Sequence, residues 1–128
     1  MYEDDAAARS LGITIEEVGP GYARLSMQVT SSMVNGHDIA HGGFLFTLAD
    51  TAFAYACNSR NERNVALDAA ISFREPGRAG ETLVAIARER SRAGRTGVYD
   101  VEVTGPSGDA LALFRGTSYR ISGSLIEL

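Results

Sequence analysis

Three features of this sequence have the residue types and spacing to do chemistry: Asn35, the pair Gly42-Gly43, and Asp50. Asp50 is the one carboxylate in residues 44–58, a segment that is apolar almost all round when written as a helix. Leu45, Leu48, Ala49, Ala52 and Ala56 form one stripe at helical spacing, and Phe46, Phe53 and Cys57 lie opposite, with Asp50 among them. Such a helix is expected to be wrapped by the rest of the chain, which puts Asp50 where a carboxylate is costly. No Lys or Arg between Phe44 and Ser59 is available to pair with it. Buried, unpaired carboxylates concentrate at functional sites, so Asp50 is a candidate base or nucleophile.

Gly42-Gly43 opens the same segment. The first four N–H groups of a helix have no partner within it, and the helix dipole adds partial positive charge there. Glycine lets a ligand oxygen approach those groups closely. The combination suits an oxyanion hole for acyl transfer, where losing one donor typically costs about 2.7–4 kcal/mol of transition-state stabilisation. Asn35, on the preceding loop, could add a side-chain donor or orient a water. Gly42 and Asp50 are eight residues apart, roughly 12 Å along a helix at 1.5 Å per residue. A base must lie within about 3 Å of its proton, so the two groups of one chain cannot flank one carbonyl. Two antiparallel copies of the helix, related by a two-fold axis, could bring Gly42 of one chain to Asp50 of the other. If both act, the enzyme is an obligate dimer with shared sites.

Other readings compete at each position. Asp50 could be a surface or capping residue, and Gly42-Gly43 merely a flexible helix start. His37 and His41 have the look of half a metal site, but they lie in a loop and no third ligand of suitable spacing follows, so no metal is expected. His41 is expected to orient the turn by hydrogen bonding. Cys57 with His41 could suggest a thiol nucleophile, yet no orienting partner is evident, and core packing is the simpler account of Cys57. Thr51 and Tyr55 line a pocket or pack. Asp68, on a strand, faces solvent or a subunit boundary.

The elements that must position these residues read clearly. A chain of 128 residues, 45% hydrophobic and 22% charged with 3 Pro, is expected to be one domain over residues 1–128. Its net charge of -4 gives no footing for nucleic acid, and every basic residue is Arg. One cysteine cannot form an internal disulfide and points to a reducing compartment. The acidic opening Met-Tyr-Glu-Asp-Asp is the reverse of a signal peptide, and no apolar run approaches the ~20 residues of a membrane span, so a cytoplasmic protein away from membranes is expected.

Residues 1–11 predict a short N-terminal helix stopped by Gly12. Residues 13–18 and 22–29 alternate around Gly19-Pro20-Gly21 as a first strand pair. Tyr22, Arg24, Ser26 and Gln28 share one face of the second strand, and Ala23, Leu25, Met27 and Val29 the other. After the loop 30–43 and the helix, strands are predicted at 65–74, 82–91, 96–104 and 110–121, with a frayed tail over 122–128. Two strands, one buried helix and about four antiparallel strands make an α+β domain: one curved sheet around one central helix. The outer face and edges of that single sheet need covering, so self-association is expected.

Three stretches then resemble the hotdog-fold acyl-CoA thioesterases. The first is the helix region, with Asn35-Gly-His-Asp-Ile-Ala-His-Gly-Gly43 and Leu48-Ala-Asp-Thr-Ala-Phe-Ala-Tyr-Ala-Cys57. The others are Phe73-Arg-Glu-Pro-Gly77, and Thr96-Gly-Val-Tyr-Asp-Val-Glu102 with Ala112-Leu-Phe-Arg-Gly-Thr-Ser-Tyr-Arg-Ile121. The His-Gly-Gly and Asp pairing, six residues between, is fairly specific to the class. The flanking pieces are similar to the narrower subfamily that hydrolyses phenylacetyl-CoA in bacterial phenylacetate degradation.

That resemblance implies a hotdog fold, a homodimer with a continuous sheet, a homotetramer built from two such dimers, and no cofactor beyond the coenzyme A of the substrate. It implies hydrolysis of an aryl-acetyl-CoA thioester. The Gly42 N–H polarises the carbonyl, Asn35 bonds the reacting group or the water, and Asp50 of the other subunit is general base or nucleophile. His41, Gly43, Phe44, Thr51 and Tyr55 are the expected substrate contacts. Some relatives carry Ser or Thr where this chain has Ala66, which leaves a water-positioning role unfilled. Arg92, Arg95 and Arg115 are candidates to meet coenzyme A phosphates. The alternative is a hotdog acyl-CoA binding module or a dehydratase. The Asp38/His41 spacing is a poor match to a dehydratase pair.

Overall fold

A computed structural model describes residues 2–122 of the chain. One six-stranded antiparallel sheet curls around one helix, α2 (Gly42–Cys57). The strands are β1 (Thr14–Gly19), β2 (Tyr22–Gln28), β3 (Asn64–Phe73), β4 (Thr82–Ala93), β5 (Thr96–Thr104) and β6 (Ala110–Arg120), after a short N-terminal helix α1 (Ala6–Ser10). Within the expected N-terminal helix, Tyr2–Asp4 is a separate 3-10 turn, because Asp5 caps α1 through the Ala8 N–H at 3.0 Å. Beyond Ser122, the tail expected to fray lies outside the described residues.

The sheet order is β1-β2-β4-β5-β6-β3. The four later strands therefore do not pair in chain order: β3 crosses to the far edge and lies against β6, with Asn64 opposite Arg120 and Phe73 opposite Ala112. β1 and β3 are the two edges. Irregular register between Ala66 and Asp68, and between Glu89 and Ser91, adds the local twist that bends the sheet around the helix.

α2 forms where four alanines and two leucines favour helix and proline is absent. It ends at Asn58, whose backbone and side-chain N–H groups both reach the Ala54 carbonyl while its Oδ1 accepts the Asn64 N–H. The stripe Leu45, Leu48, Ala49, Ala52 and Ala56 is buried against the sheet together with Ala23, Leu25, Met27 and Val29 of the β2 segment. The opposite side is also covered in part: Phe53 is enclosed by Tyr99 and Phe114, with ring centroids 5.6 and 5.7 Å away. A Cβ at Gly116 would come within 2.9 Å of the Phe53 ring, so glycine there is what lets β6 approach the helix.

The expectation of a fully wrapped helix does not hold. Gly43, Thr47, Asp50 and Ala54 form an open row along α2, exposed at Gly43 and half-buried at the other three. The curved sheet reaches around three sides of the helix and leaves this one. Asp50 is thus less costly than a core carboxylate, because its row meets solvent in the isolated chain. Among the described residues, no helix is long and apolar enough to cross a membrane.

Candidate active site

The loop before α2 is built by Asn35. Its Oδ1 accepts the His37 N–H at 2.8 Å and the Ile39 N–H at 3.4 Å, and its backbone N–H and C=O bond Ile39 and Asp38. Asp38 takes a positive φ of 65°, a conformation that Asp tolerates better than most residues. Asn35 therefore spends its side-chain oxygen on the loop, and the amide nitrogen is the part left to meet a ligand.

His41 is the N-cap of α2. Its backbone is extended, its N–H donates to the Met33 carbonyl at 2.7 Å, and its Nδ1 accepts the Gly43 N–H at 3.0 Å. The expected orienting role of His41 is realised in this hydrogen bond. The Phe44 N–H donates to the His41 carbonyl at 3.0 Å. Of these first backbone donors, Gly43 and Phe44 are used, and the Gly42 N–H has no acceptor among the described residues.

Asp50 lies two turns further on. No cation or hydrogen-bond donor meets its carboxylate among the described residues, and burial pushes its pKa above the usual aspartate value. Gly42 and Asp50 stand roughly 12 Å apart by helix rise, so a chain by itself does not close them around one carbonyl.

The remaining expected contacts divide. Gly43 and Thr47 stand on the open row, and the Thr47 hydroxyl donates to the Gly43 carbonyl at 2.9 Å. Phe44 is half-buried beside His41, edge to face at 6.3 Å. Thr51 and Tyr55 turn into the core instead. Thr51 donates to the Thr47 carbonyl at 2.6 Å. Tyr55 is buried near Tyr2 and Asp5 of the N-terminal segment, and its hydroxyl has no partner; burial first, then those neighbours, pushes it up to about 12. A helix turns about 100° per residue, so Thr51 and Tyr55 fall away from the row that holds Asp50.

Cys57 is a core thiol. Burial pushes it up to about 12, its Sγ donates to the Ala54 carbonyl, and it sits at the opposite end of α2 from His41, roughly 24 Å away by helix rise. That separation removes the cysteine–histidine pair. Among the described residues, no three His, Cys, Asp or Glu side chains converge as metal ligands would.

The arginines considered for phosphates are already engaged. Arg92 pairs with Glu62 at 2.9 Å, Arg115 holds Asp100 through two bonds of 2.6 and 2.9 Å, and Arg95 donates to the Arg120 carbonyl at 3.0 Å. Ala66 and Asp68 are exposed on the edge strand β3.

One neighbour of the site was not legible in the sequence. Phe73, the last residue of β3, lays its ring against Gly42: a Cβ at Gly42 would fall 2.8 Å from Phe73 Cζ. The signal that would find it, the crossing of β3 to the far edge of the sheet, is a tertiary fact.

Comparison with known proteins agrees with this fold. The sequence model of the thioesterase superfamily matches residues 37–112, from the loop to the start of β6. The chain is 51% identical to the acyl-coenzyme A thioesterase PaaI of Escherichia coli K12 over 125 residues, 98% of this chain and 89% of the relative. The solved structure of the E. coli PaaI protein, from the phenylacetic acid degradation operon, superposes with a TM-score of 0.95 at 52% identity, covering 97% of this chain and 90% of that one. A Streptococcus pneumoniae hypothetical thioesterase solved with coenzyme A is 26% identical, with a TM-score of 0.82 over 88% of this chain and 90% of its own. On its sequence, its curved sheet and its single long helix, the chain belongs to the thioesterase superfamily, as a thioester hydrolase of the hotdog fold.

Proposed function

We propose that the chain hydrolyses acyl-CoA thioesters, phenylacetyl-CoA and hydroxyaryl-acetyl-CoA foremost, to the free acid and coenzyme A, at sites shared by two copies. The observation that carries this reading is one helix holding an unspent Gly42 N–H at its start and an unpaired, half-buried Asp50 two turns later on its open row. Neither group has a partner among the described residues, and the distance along the helix keeps them in different sites of a dimer.

In each site the thioester carbonyl oxygen accepts the Gly42 N–H of one copy. The donor is fixed before reaction and aimed where negative charge develops, helped by the α2 dipole. The Asn35 amide nitrogen bonds the carbonyl or the attacking water. Asp50 of the second copy supplies the carboxylate. As general base it takes a proton from water, the water oxygen attacks the carbonyl carbon, and the tetrahedral intermediate collapses with loss of the coenzyme A thiolate. As nucleophile it attacks directly, expels the thiolate, and leaves a mixed anhydride for water to cleave. Single turnover in 18O-labelled water separates the two: the general-base route puts the label in the released acid, whereas an anhydride cleaved by water at the Asp50 carbonyl leaves it in the Asp50 carboxylate. Burial raises the basicity of Asp50, which suits either role near neutral pH.

The β3 edge supports the pairing. Val65 and Leu67 are 45% and 57% exposed on a strand with one unpaired side, and only Asp68 among its exposed residues carries charge to discourage a partner. Strand β3 against β3 of a second copy continues the sheet, sets the two α2 helices antiparallel, and covers the open row. Pairing of two dimers into a tetramer then covers an outer sheet face. The buried Cys57 thiol is consistent with the cytoplasm.

The test is release of free thiol from a panel of acyl-CoA thioesters. Aryl-acetyl thioesters are expected to give the highest kcat/KM. Saturable acyl-CoA binding without thiol release would make the chain a binding module and end this reading.

A further inference from the structure

The side chain packed against the Gly42 backbone is Phe73. It ends β3 on the helix-facing side, two residues after Ile71, which packs against the core, but Phe73 reaches past the core and remains 54% exposed. Its ring rests where a Cβ of residue 42 would stand, at 2.8, 3.1 and 3.3 Å from three ring carbons. Gly42 has no positive φ to explain its identity, so the close approach of this ring is the local reason for glycine at that position. At the same helix start, His41 and Phe44 meet edge to face. Aromatic rings thus gather around the helix start whose Gly42 N–H has no acceptor among the described residues.

We propose that Phe73 is a specificity-determining residue, the platform on which the acyl group of the substrate lies. The inference rests on Gly42 holding the thioester carbonyl. A carbonyl oxygen bonded to that N–H stands about 3 Å from the nitrogen, and the first acyl carbon is bonded to the same carbonyl carbon. A ring in van der Waals contact with Gly42 is therefore within reach of the first few acyl atoms. The distal end of the ring is spent on Gly42, and the exposed remainder offers an apolar surface of the size of an aryl group. Aromatic pairs add about 0.5–1.5 kcal/mol beyond area burial, or roughly two- to twelvefold in kcat/KM. A flexible aliphatic chain draws only on the area, which a leucine supplies as well.

The experiment compares kcat/KM for phenylacetyl-CoA and hexanoyl-CoA in the parent chain, Phe73→Leu and Phe73→Tyr, with molar mass followed by light scattering. Phe73→Leu is expected to lower the phenylacetyl to hexanoyl ratio by about three- to tenfold at unchanged mass, with the hexanoyl rate held within about twofold. Phe73→Tyr keeps the aromatic face and is expected to keep the ratio. A ratio unchanged in Phe73→Leu overturns the proposal, as does an equal fall for both substrates, which would place the ring on the coenzyme A side or in a subunit contact. A Tyr variant that loses the ratio also overturns it. In each of those cases the parent still releases thiol, so the role of Gly42 survives. A parent chain inert toward both thioesters overturns both.

Discussion

The Nδ1 atom of His41 accepts the Gly43 N–H at 3.0 Å, and one residue earlier the Gly42 N–H has no acceptor among the described residues. The cap thus does two things at once. It stabilises the start of α2, and it takes the Gly43 N–H while leaving free the Gly42 N–H that the proposed mechanism gives to the thioester carbonyl.

Replacing His41 with Ala removes the cap and should cost about 0.5–2 kcal/mol of stability, seen as a lower denaturation midpoint. Turnover should fall as well, because the Gly42 peptide loses its anchor. His41→Asn, which can accept the same N–H, should restore most of the stability. A full-stability Ala variant would show that the hydrogen bond does not hold the helix start.

Leu67 is the most exposed large apolar residue of the described chain, and it lies on the β3 edge. Leu67→Arg should leave the far-ultraviolet circular dichroism of the fold intact while halving the mass seen by light scattering, because it places like charges at a self-pairing edge. Activity should fall with it by about a hundredfold or more, the typical contribution of a positioned base, since Asp50 then has no Gly42 to face. A fully active variant of halved mass would contradict the shared site.

Asp50 also predicts a link between stability and pH. Burial raises its pKa in the folded chain, so the folded state holds that proton more tightly than the unfolded one. Below the unfolded pKa both states are protonated and no penalty exists. As pH rises through the folded pKa the penalty appears, and it persists at neutral pH. Asp50→Asn should therefore melt at a higher temperature than the parent at pH 7, and at the same temperature in acid where Asp50 is protonated. A variant less stable at pH 7 would mean that the ionised carboxylate is held by a favourable contact.

Much of this was legible in the sequence because local signals and the global fold agree. The β2 face of Ala23, Leu25, Met27 and Val29, the turn at residues 93–95, and the α2 stripe from Leu45 to Ala56 all follow from periodicity and turn chemistry. What failed did so where the third dimension decides. β3 joins the sheet by antiparallel backbone pairing with β6, the last strand of the chain, and nothing local to residues 64–73 encodes that neighbour. Phe73 beside Gly42 is a consequence of it. The sequence leaves Tyr55 to line a pocket or to pack, and the rotation of five residues from Asp50 turns it toward Tyr2 and Asp5. Asn35 was read as a donor to substrate, and the structure adds that its oxygen is committed to the loop.

Turnover of phenylacetyl-CoA by Asp50→Asn decides whether Asp50 supplies the carboxylate of the shared site. The parent kcat/KM should rise with pH along an acid limb displaced above the usual aspartate range of about 3.9, the direction that burial gives. The Asn variant, folded and of unchanged mass, should lose that limb and about 10²–10⁴-fold in kcat. An Asn variant that releases thiol at the parental rate with the parental pH profile would contradict the assignment of Asp50 and the dimeric site built on it.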